Sequence, residues 1–136
     1  MMEKITALEA LHRLANRYKK KVMNHERTPL IGLDINEYTS LFRNGLEVTV
    51  IEFIQEGDSL AGTLMSHKEE LLQQIPDATV ILLQIVAAKG HALMMEEINE
   101  LAVFVDLLGE DINFYWEIEY EDTTKFNVKI VVYIIK

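Results

Sequence analysis

The chain has 136 residues, of which 49% are hydrophobic and 26% charged, and this size and composition are typical of one globular domain rather than a disordered segment. It contains no cysteine, which excludes a disulfide scaffold, a thiol nucleophile and a thiolate metal site. The formal net charge of −9 disfavours nucleic acid and anionic lipid as partners.

The charge is unevenly distributed along the sequence. Residues 1–29 hold seven Lys or Arg against three Glu, a net charge of +4, whereas residues 30–136 hold 6 Lys or Arg against 19 Asp or Glu, a net charge of −13. The basic segment can dock on the acidic body of its own chain or on an acidic partner, and we favour the first interpretation. Nucleic-acid binding through Arg17–Lys21 is a third possibility, although one basic turn beside an acidic body is a small footprint.

Nothing in the sequence predicts a membrane segment or a secretory leader. The longest uncharged apolar run, Ala78–Ala88, is far shorter than the roughly 20 residues that a spanning helix needs. Charges recur every few positions near the start of the chain, which does not fit the apolar core of a signal peptide. We therefore expect a soluble, cytoplasmic protein.

The first predicted element is a basic amphipathic helix over Met2–Asn24. Its apolar residues recur at spacings of three and four, which places them on one stripe: Ile5, Leu8, Leu11, Ala15, Tyr18 and Val22. Pro29 supports a stop beyond this helix. The stripe must cover either the core of this chain or the surface of a partner.

Three elements are predicted in the next part of the chain. A short helix over Asn36–Arg43 follows Asp34 at the N-cap position, and Glu37 has the capping-box spacing. The β-rich, partly alternating run Glu47–Ile54 predicts a strand. The apolar spacing over Leu60–Ile75 then predicts a helix.

The last part of the chain predicts three strands and one helix. Thr79–Ala87 is a nearly continuous apolar run, typical of a strand buried on both faces, and a helix is predicted over Met95–Leu108. Two alternating segments, Ile112–Tyr120 and Phe126–Ile134, predict a final antiparallel hairpin. In that hairpin Lys125 and Lys129 would face Glu119 and Glu117 across the strands.

This order of elements predicts an α+β fold. We expect a two-layer α/β sandwich, in which a four-stranded mixed sheet carries helices on one face, together with the N-terminal amphipathic helix. Residues 1–29 would form that helix and residues 30–136 the α/β domain.

The sequence offers no clear catalytic or cofactor motif. The serines Ser40, Ser59 and Ser66 do not form a nucleophile elbow, and the six glycines are isolated, so nothing predicts a phosphate-binding loop. The four histidines are scattered, with too few ligands nearby for a metal site. We therefore expect no cofactor, no metal and no enzymatic activity.

One acidic run has two interpretations. Its carboxylates could hold a divalent ion, or they could be neutralised by Lys125 and Lys129 in a purely structural arrangement, which we favour; the run comprises Glu117, Glu119, Glu121 and Asp122.

Several segments carry motifs that occur in a definite order. They are Leu30–Tyr38 (LIGLDINEY), Val48–Ile54 with Gly57–Ala61 (GDSLA), Val80–Val86, Glu97–Ala102 (EINELA), Asp111–Trp116 and Phe126–Ile135. In that order they resemble the C-terminal domain of FtsZ, the bacterial tubulin homologue, including its L-I-N-x-D-F-x-D loop and its E-V-N-E-A-A helix. The resemblance covers about residues 30–136 and implies the fold of that domain without the family's GTP-binding loop.

The resemblance also implies a partner-contact loop. In FtsZ filaments the loop matched by Asp34 and Glu37 completes the GTPase site of the next subunit. Gly32 stands where the family has Asn, and Glu37 replaces an Asp with one extra methylene, which would displace a positioned water. We expect a contact surface at Gly32, Asp34, Asn36 and Glu37 rather than a catalytic loop, and for Asp34 and Glu37 we favour a helix-capping role.

The leading functional hypothesis is a non-catalytic protein–protein interaction module. It would self-associate, with a homodimer as the expected state, or it would modulate assembly of an FtsZ-type filament. The alternative is a small-molecule-binding α/β domain or an enzyme that uses a crevice between the first helix and the sheet.

Overall fold

A computed structural model describes residues 2–23, 35–54, 60–74, 78–88, 95–106, 112–121 and 125–136. Its elements, in chain order, are β1 (Met2–Thr6), α1 (Ala7–Met23), α2 (Ile35–Leu41), β2 (Glu47–Ile54), α3 (Leu60–Ser66), α4 (Lys68–Gln74), β3 (Val80–Ala88), α5 (Met95–Asp106), β4 (Asn113–Glu121) and β5 (Val128–Ile135). Within the described residues, no helix combines the length and the apolar character needed to cross a lipid bilayer.

The strands form one mixed sheet in the order β1-β2-β5-β3-β4. β3 and β4 run parallel, whereas β1, β2, β5 and β3 are joined by antiparallel pairing. The predicted α+β class with a mixed sheet is confirmed, but the sheet has five strands where the sequence predicted four. The additional strand is β1.

The helix predicted from Met2 begins only at Ala7, because the first residues pair with the sheet. β1 runs antiparallel to β2, from Met2 opposite Ile51 to Thr6 opposite Glu47. The Thr6 side-chain oxygen then accepts a hydrogen bond from the Glu9 backbone N–H at 3.1 Å, which caps the start of α1. The predicted stripe therefore has the wrong phase: Ala7, Ala10 and Leu14 are the buried positions, and Leu8 is exposed.

The predicted β4–β5 hairpin is wrong, since β3 lies between these two strands. β5 is buried on both faces, from Ile130 to Ile135, and therefore takes a central position in the sheet between β2 and β3. Lys129 does not face Glu117: its ammonium lies 3.7 Å from the Glu52 carboxylate on β2.

Helices cover both faces of the sheet, so the fold has three layers rather than the predicted two. We call the side covered by α1 and α2 face A, and the side covered by α4 and α5 face B. The buried helix residues on face A are Ala7, Ala10, Leu14 and Tyr38, and Phe42 is buried directly after α2. On face B the helix residues are Leu71, Ile98 and Val105. The first helix thus packs on the sheet of its own chain.

The predicted helix over Leu60–Ile75 is divided into α3 and α4, with a turn at His67. The His67 ring stacks on Phe53 with a centroid separation of 4.3 Å. Before β2, Gly45 has φ of 93°, which glycine adopts without a Cβ penalty and which reverses the chain after α2. The Ala7 N–H donates to the Leu46 carbonyl at 3.1 Å, so this turn also anchors the start of α1.

Candidate functional site

The predicted partner-contact loop lies mostly outside the described residues. Gly32 and Asp34 fall outside them, and for Asn36 and Glu37 the structure describes the α2 backbone but not the side chains. The contact loop and the capping box therefore stay predictions. Tyr38 of α2 is buried against the sheet, whereas Thr39 and Ser40 are exposed. Directly after α2, the Phe42 ring meets Tyr133 edge-on with centroids 5.9 Å apart.

A group of buried and partly exposed polar side chains lies on face A, beneath α1 and α2. We call it the acidic cluster, and it comprises Gln84, Glu117, Glu119 and Glu121 of the sheet with Arg17 and Tyr38 of the helices. Alternation along β4 puts its glutamates on one face, and the parallel pairing places Gln84 opposite Glu117. Glu117 and Glu119 are each only 2% exposed.

Both carboxylate oxygens of Glu117 have hydrogen-bond donors. The Tyr38 hydroxyl donates to Oε2, and the Gln84 side-chain Nε2 donates to Oε1 at 3.4 Å. Burial raises the pKa of the Glu117 carboxyl, and these two hydrogen bonds oppose that effect. Burial, together with the neighbouring Glu117 carboxylate, raises the pKa of the Tyr38 hydroxyl. Tyr38 is therefore held in its neutral, donating form.

Glu119 meets a cation from the first helix. Arg17 Nη2 contacts Glu119 Oε1 and lies 3.9 Å from Glu121 Oε2. Arg17 continues the buried positions Ala7, Ala10 and Leu14 at helical spacing, so the same stripe that packs on the sheet also delivers the charge. For Arg17, the basic N-terminal segment docks on the acidic body of its own chain.

The acidic run was predicted to be neutralised by Lys125 and Lys129, and the structure corrects one of these partners. Glu117 accepts hydrogen bonds from Tyr38 and Gln84, and Lys129 pairs with Glu52 instead of with Glu117. Glu119 contacts Arg17 of the first helix. Asp122 lies outside the described residues. Across the described residues, no group of three or more His, Asp or Glu is placed to hold a metal ion.

Sequence reasoning missed the helix residues of this cluster. Tyr38 follows the predicted contact loop directly, yet its partner is 79 positions further along the chain. Two signals could have indicated the site. Gln84 interrupts an otherwise apolar buried strand, and Arg17 lies in phase with small and apolar residues of α1. A polar group in such a position needs a buried partner.

The arrangement joins two helices to the sheet edge. Tyr38 ties α2 to β4, and Arg17 ties α1 to the same strand. Tyr38 and Gln84 both donate to Glu117, whereas the buried Arg17 Nε has no hydrogen-bond partner among the described residues. The site lies between the first helix and the sheet, where the sequence suggested a ligand.

Comparison with known proteins relates the fold to one family of structures. No family model matches the chain, and no curated protein matches its sequence. An empty FtsZ dimer from M. jannaschii is similar with a TM-score of 0.57 and 19% identity over 81% of this chain. A mutant FtsZ from M. jannaschii is similar with a TM-score of 0.58 and 16% identity over 95% of this chain.

The chain spans only 33% and 41% of the lengths of these two FtsZ chains. At such low identity the likeness concerns the fold. The fold is FtsZ-like, and the resemblance predicted from the sequence motifs is confirmed at that level.

Proposed function

We propose that this chain is a non-catalytic protein–protein interaction module that self-associates or modulates the assembly of an FtsZ-type filament. One observation carries the proposal: 81% to 95% of the chain superposes on FtsZ, but it accounts for only 33% to 41% of the FtsZ chains. A module that shares part of the fold of FtsZ can present similar surfaces to the same neighbours.

The acidic cluster supports this role through the position of α2. Tyr38 immediately follows Glu37 of the predicted contact loop, and its hydroxyl is bonded to the buried Glu117. A contact loop that ends in an anchored helix loses less conformational freedom on binding. In the proposal, the cluster therefore acts on the interaction indirectly, by fixing the start of α2.

Sedimentation of purified FtsZ with GTP, with and without this protein, tests the filament arm of the proposal. We expect this protein to appear in the pellet or to change the polymer mass. The double variant Asp34→Ala, Glu37→Ala should lose the effect. Glu69→Ala, which removes an exposed carboxylate of α4 on the other side of the sheet, is the matched control and should keep it. Absence of co-sedimentation together with unchanged polymer mass would refute the filament arm.

A small-molecule-binding function is the second candidate, and one observation favours it. Polar side chains of α1, α2, β3 and β4 converge between the first helix and the sheet: Arg17, Tyr38, Gln84 and Glu117. Convergent polar groups in an apolar crevice are typical of ligand sites. Because Tyr38 and Gln84 bond to Glu117 and Arg17 contacts Glu119, a ligand would have to replace those contacts.

Thermal melting across a panel of metabolites tests this second candidate. A ligand that binds the folded chain raises its melting temperature. The shift should disappear in Glu117→Gln and persist in Glu69→Gln if the ligand occupies the acidic cluster. A panel without any shift would count against the candidate.

A further inference from the structure

The two outer strands of the sheet differ in length and in chemistry. β1 has five residues and β4 has nine, and within the described residues each is hydrogen-bonded to a strand on one side only. An outer strand offers its free backbone groups to a further strand. On β4, three consecutive aromatic residues, Phe114, Tyr115 and Trp116, are half-buried.

The backbone of β4 identifies which groups face outward. The Asn113 N–H donates to the Thr79 carbonyl at 3.3 Å, and Asn113 lies opposite Val80 in the parallel pairing. In a ladder, alternate residues direct their N–H and C=O groups to opposite sides. The odd-numbered residues of β4 therefore bond to β3, and Phe114, Trp116 and Ile118 direct their backbone groups away from the sheet.

Symmetry restricts how two copies can pair through an outer strand. When a two-fold axis perpendicular to the sheet relates two antiparallel strands, each residue lies opposite a residue whose side chain is on the same face. Two such residues are an even number of positions apart along the sequence. The residue midway between them therefore lies opposite its own copy, and the axis passes beside it. On β1, the register that uses the whole strand puts Lys4 opposite the second copy's Lys4, and like charges directly opposite are unfavourable.

On β4, the position of the axis decides whether charges oppose each other. An axis at Glu117, the middle of the strand, would put that buried carboxylate opposite itself. An axis at Tyr115 removes this conflict. It places Phe114 opposite Trp116 on face B, and Asn113 opposite Glu117 on face A, in both halves of the dimer. Aromatic pairs of this kind stabilise neighbouring antiparallel strands.

We propose that two copies of this chain pair antiparallel through β4, with the two-fold axis at Tyr115. The two five-stranded sheets join into one sheet of ten strands, and the paired segment is 112–118. The outward backbone groups of Phe114 and Trp116 form the hydrogen bonds across the axis. The proposal specifies the self-association arm of the proposed function, on which it rests, and makes no use of the filament contact.

Cysteine cross-linking tests the axis position, because the chain has no cysteine of its own. Directly opposite residues of a non-hydrogen-bonded pair have Cα atoms about 4.5 Å apart, which a disulfide can span. We expect mild oxidation of Tyr115→Cys to give a covalent dimer of twice 15.7 kDa. Asn113→Cys, exposed on the same strand, and Lys4→Cys, exposed on β1, should remain monomers over the same time.

Two results would contradict the proposed dimer or its axis. If Asn113→Cys or Lys4→Cys forms the covalent dimer as fast as Tyr115→Cys, the proposed axis is wrong. If light scattering finds the unmodified chain at 15.7 kDa at every concentration, the dimer itself is wrong.

A charge-pairing experiment tests the same axis without a disulfide. Tyr115→Lys and Tyr115→Glu should each be monomeric, because in a dimer of either variant two like charges would meet at the axis. Light scattering would then find half the molecular mass of the wild-type dimer. An equimolar mixture of the two variants should recover the dimer, which shows that both remain folded. Failure of the mixture to associate, with both circular dichroism spectra unchanged, would overturn the proposal.

The filament arm is measured on the same proteins. A monomeric Tyr115→Lys that still sediments with FtsZ separates the dimer from filament binding. A wild-type dimer that leaves FtsZ unaffected refutes the filament arm and supports the dimer.

Discussion

The two faces of the sheet are stabilised in different ways. Face B is packed almost entirely by aliphatic and aromatic side chains, including the fully buried Ile51, Ile85 and Ile130. Face A has a similar apolar core near the start of α1, but it changes to the acidic cluster towards Arg17 and Glu119. The comparison indicates that face B contributes apolar burial, whereas face A combines burial with directional contacts that select the positions of α1 and α2.

The largest effect should come from a cavity on face B. Ile85→Ala removes buried methyl groups from a fully buried position of the inner strand β3. We expect a loss of about 3 kcal/mol in the free energy of unfolding, measured by urea denaturation. Val103→Ala, at an exposed position of α5, is the control and should change the stability by less than about 0.5 kcal/mol. Equal losses in the two variants would contradict the described packing.

A smaller effect should follow when the ion pair of face A is broken. Arg17→Met keeps much of the apolar stem but removes the cation that contacts the buried Glu119. We expect a loss of about 2 kcal/mol, less than for a fully enclosed pair because Arg17 is partly exposed.

Arg13→Met is the matched control for the ion pair. Arg13 lies one turn earlier on α1 and pairs with Glu3 at 2.5 Å and with Glu9 at 2.9 Å on the surface. Surface pairs contribute little, so this variant should lose less than about 1 kcal/mol. If the two arginine variants lose equal stability, face A has no special dependence on its ion pair.

The hydroxyl of Tyr38 should have the next largest effect. Tyr38→Phe preserves the ring but deletes the hydrogen bond to Glu117, with an expected loss of about 1.5 kcal/mol in the free energy of unfolding. A double-mutant cycle with Glu117→Gln measures the coupling. A cycle without coupling would show that the two side chains do not interact in solution.

The pH dependence of Glu117 should be the smallest of these effects. Because burial raises its pKa above the ordinary value of 4.5, the folded state binds this proton more tightly than the unfolded state. The stability that this proton contributes is present below pH 4.5 and is lost as the pH rises through the raised pKa. We therefore expect urea unfolding between pH 4 and pH 7 to show that wild type loses stability relative to Glu117→Gln as the pH rises. The quantity compared is the difference in the free energy of unfolding between the two proteins. A difference that is independent of pH would contradict the raised pKa.

Sequence patterns predicted the strands of the central layer but not all of their neighbours. The apolar run around Leu82 predicted a strand buried on both faces, and β3 is such a strand. β5 has a comparable apolar run, yet the sequence suggested a hairpin with β4 because both segments alternate apolar and polar residues and follow each other in the chain. Strand order depends on which strands can be covered on both sides, and that is settled by tertiary packing rather than by local sequence.

The candidate site was less predictable than the fold. In the sequence, Glu117 and Glu119 occupy the polar positions of an alternating strand, which is typical of a solvent-facing side. They are buried because α1 and α2 cover face A, and the pairing of β1 with β2 starts α1 beside the sheet. The start of α1 was misplaced because Ile5 suits a helical stripe as well as a strand.

α1 has a mechanical consequence for the sheet as a whole. It starts at Ala7, bonded beside the start of β2, and at Arg17 it reaches β4. At about 1.5 Å per residue this length is about 15 Å, close to the three strand spacings of about 4.8 Å between β2 and β4. A helix that is attached to both β2 and β4 resists changes in the twist of the sheet between them. The strands from β2 to β4 should consequently move as one rigid unit, so that a force applied to β2 is transmitted to β4.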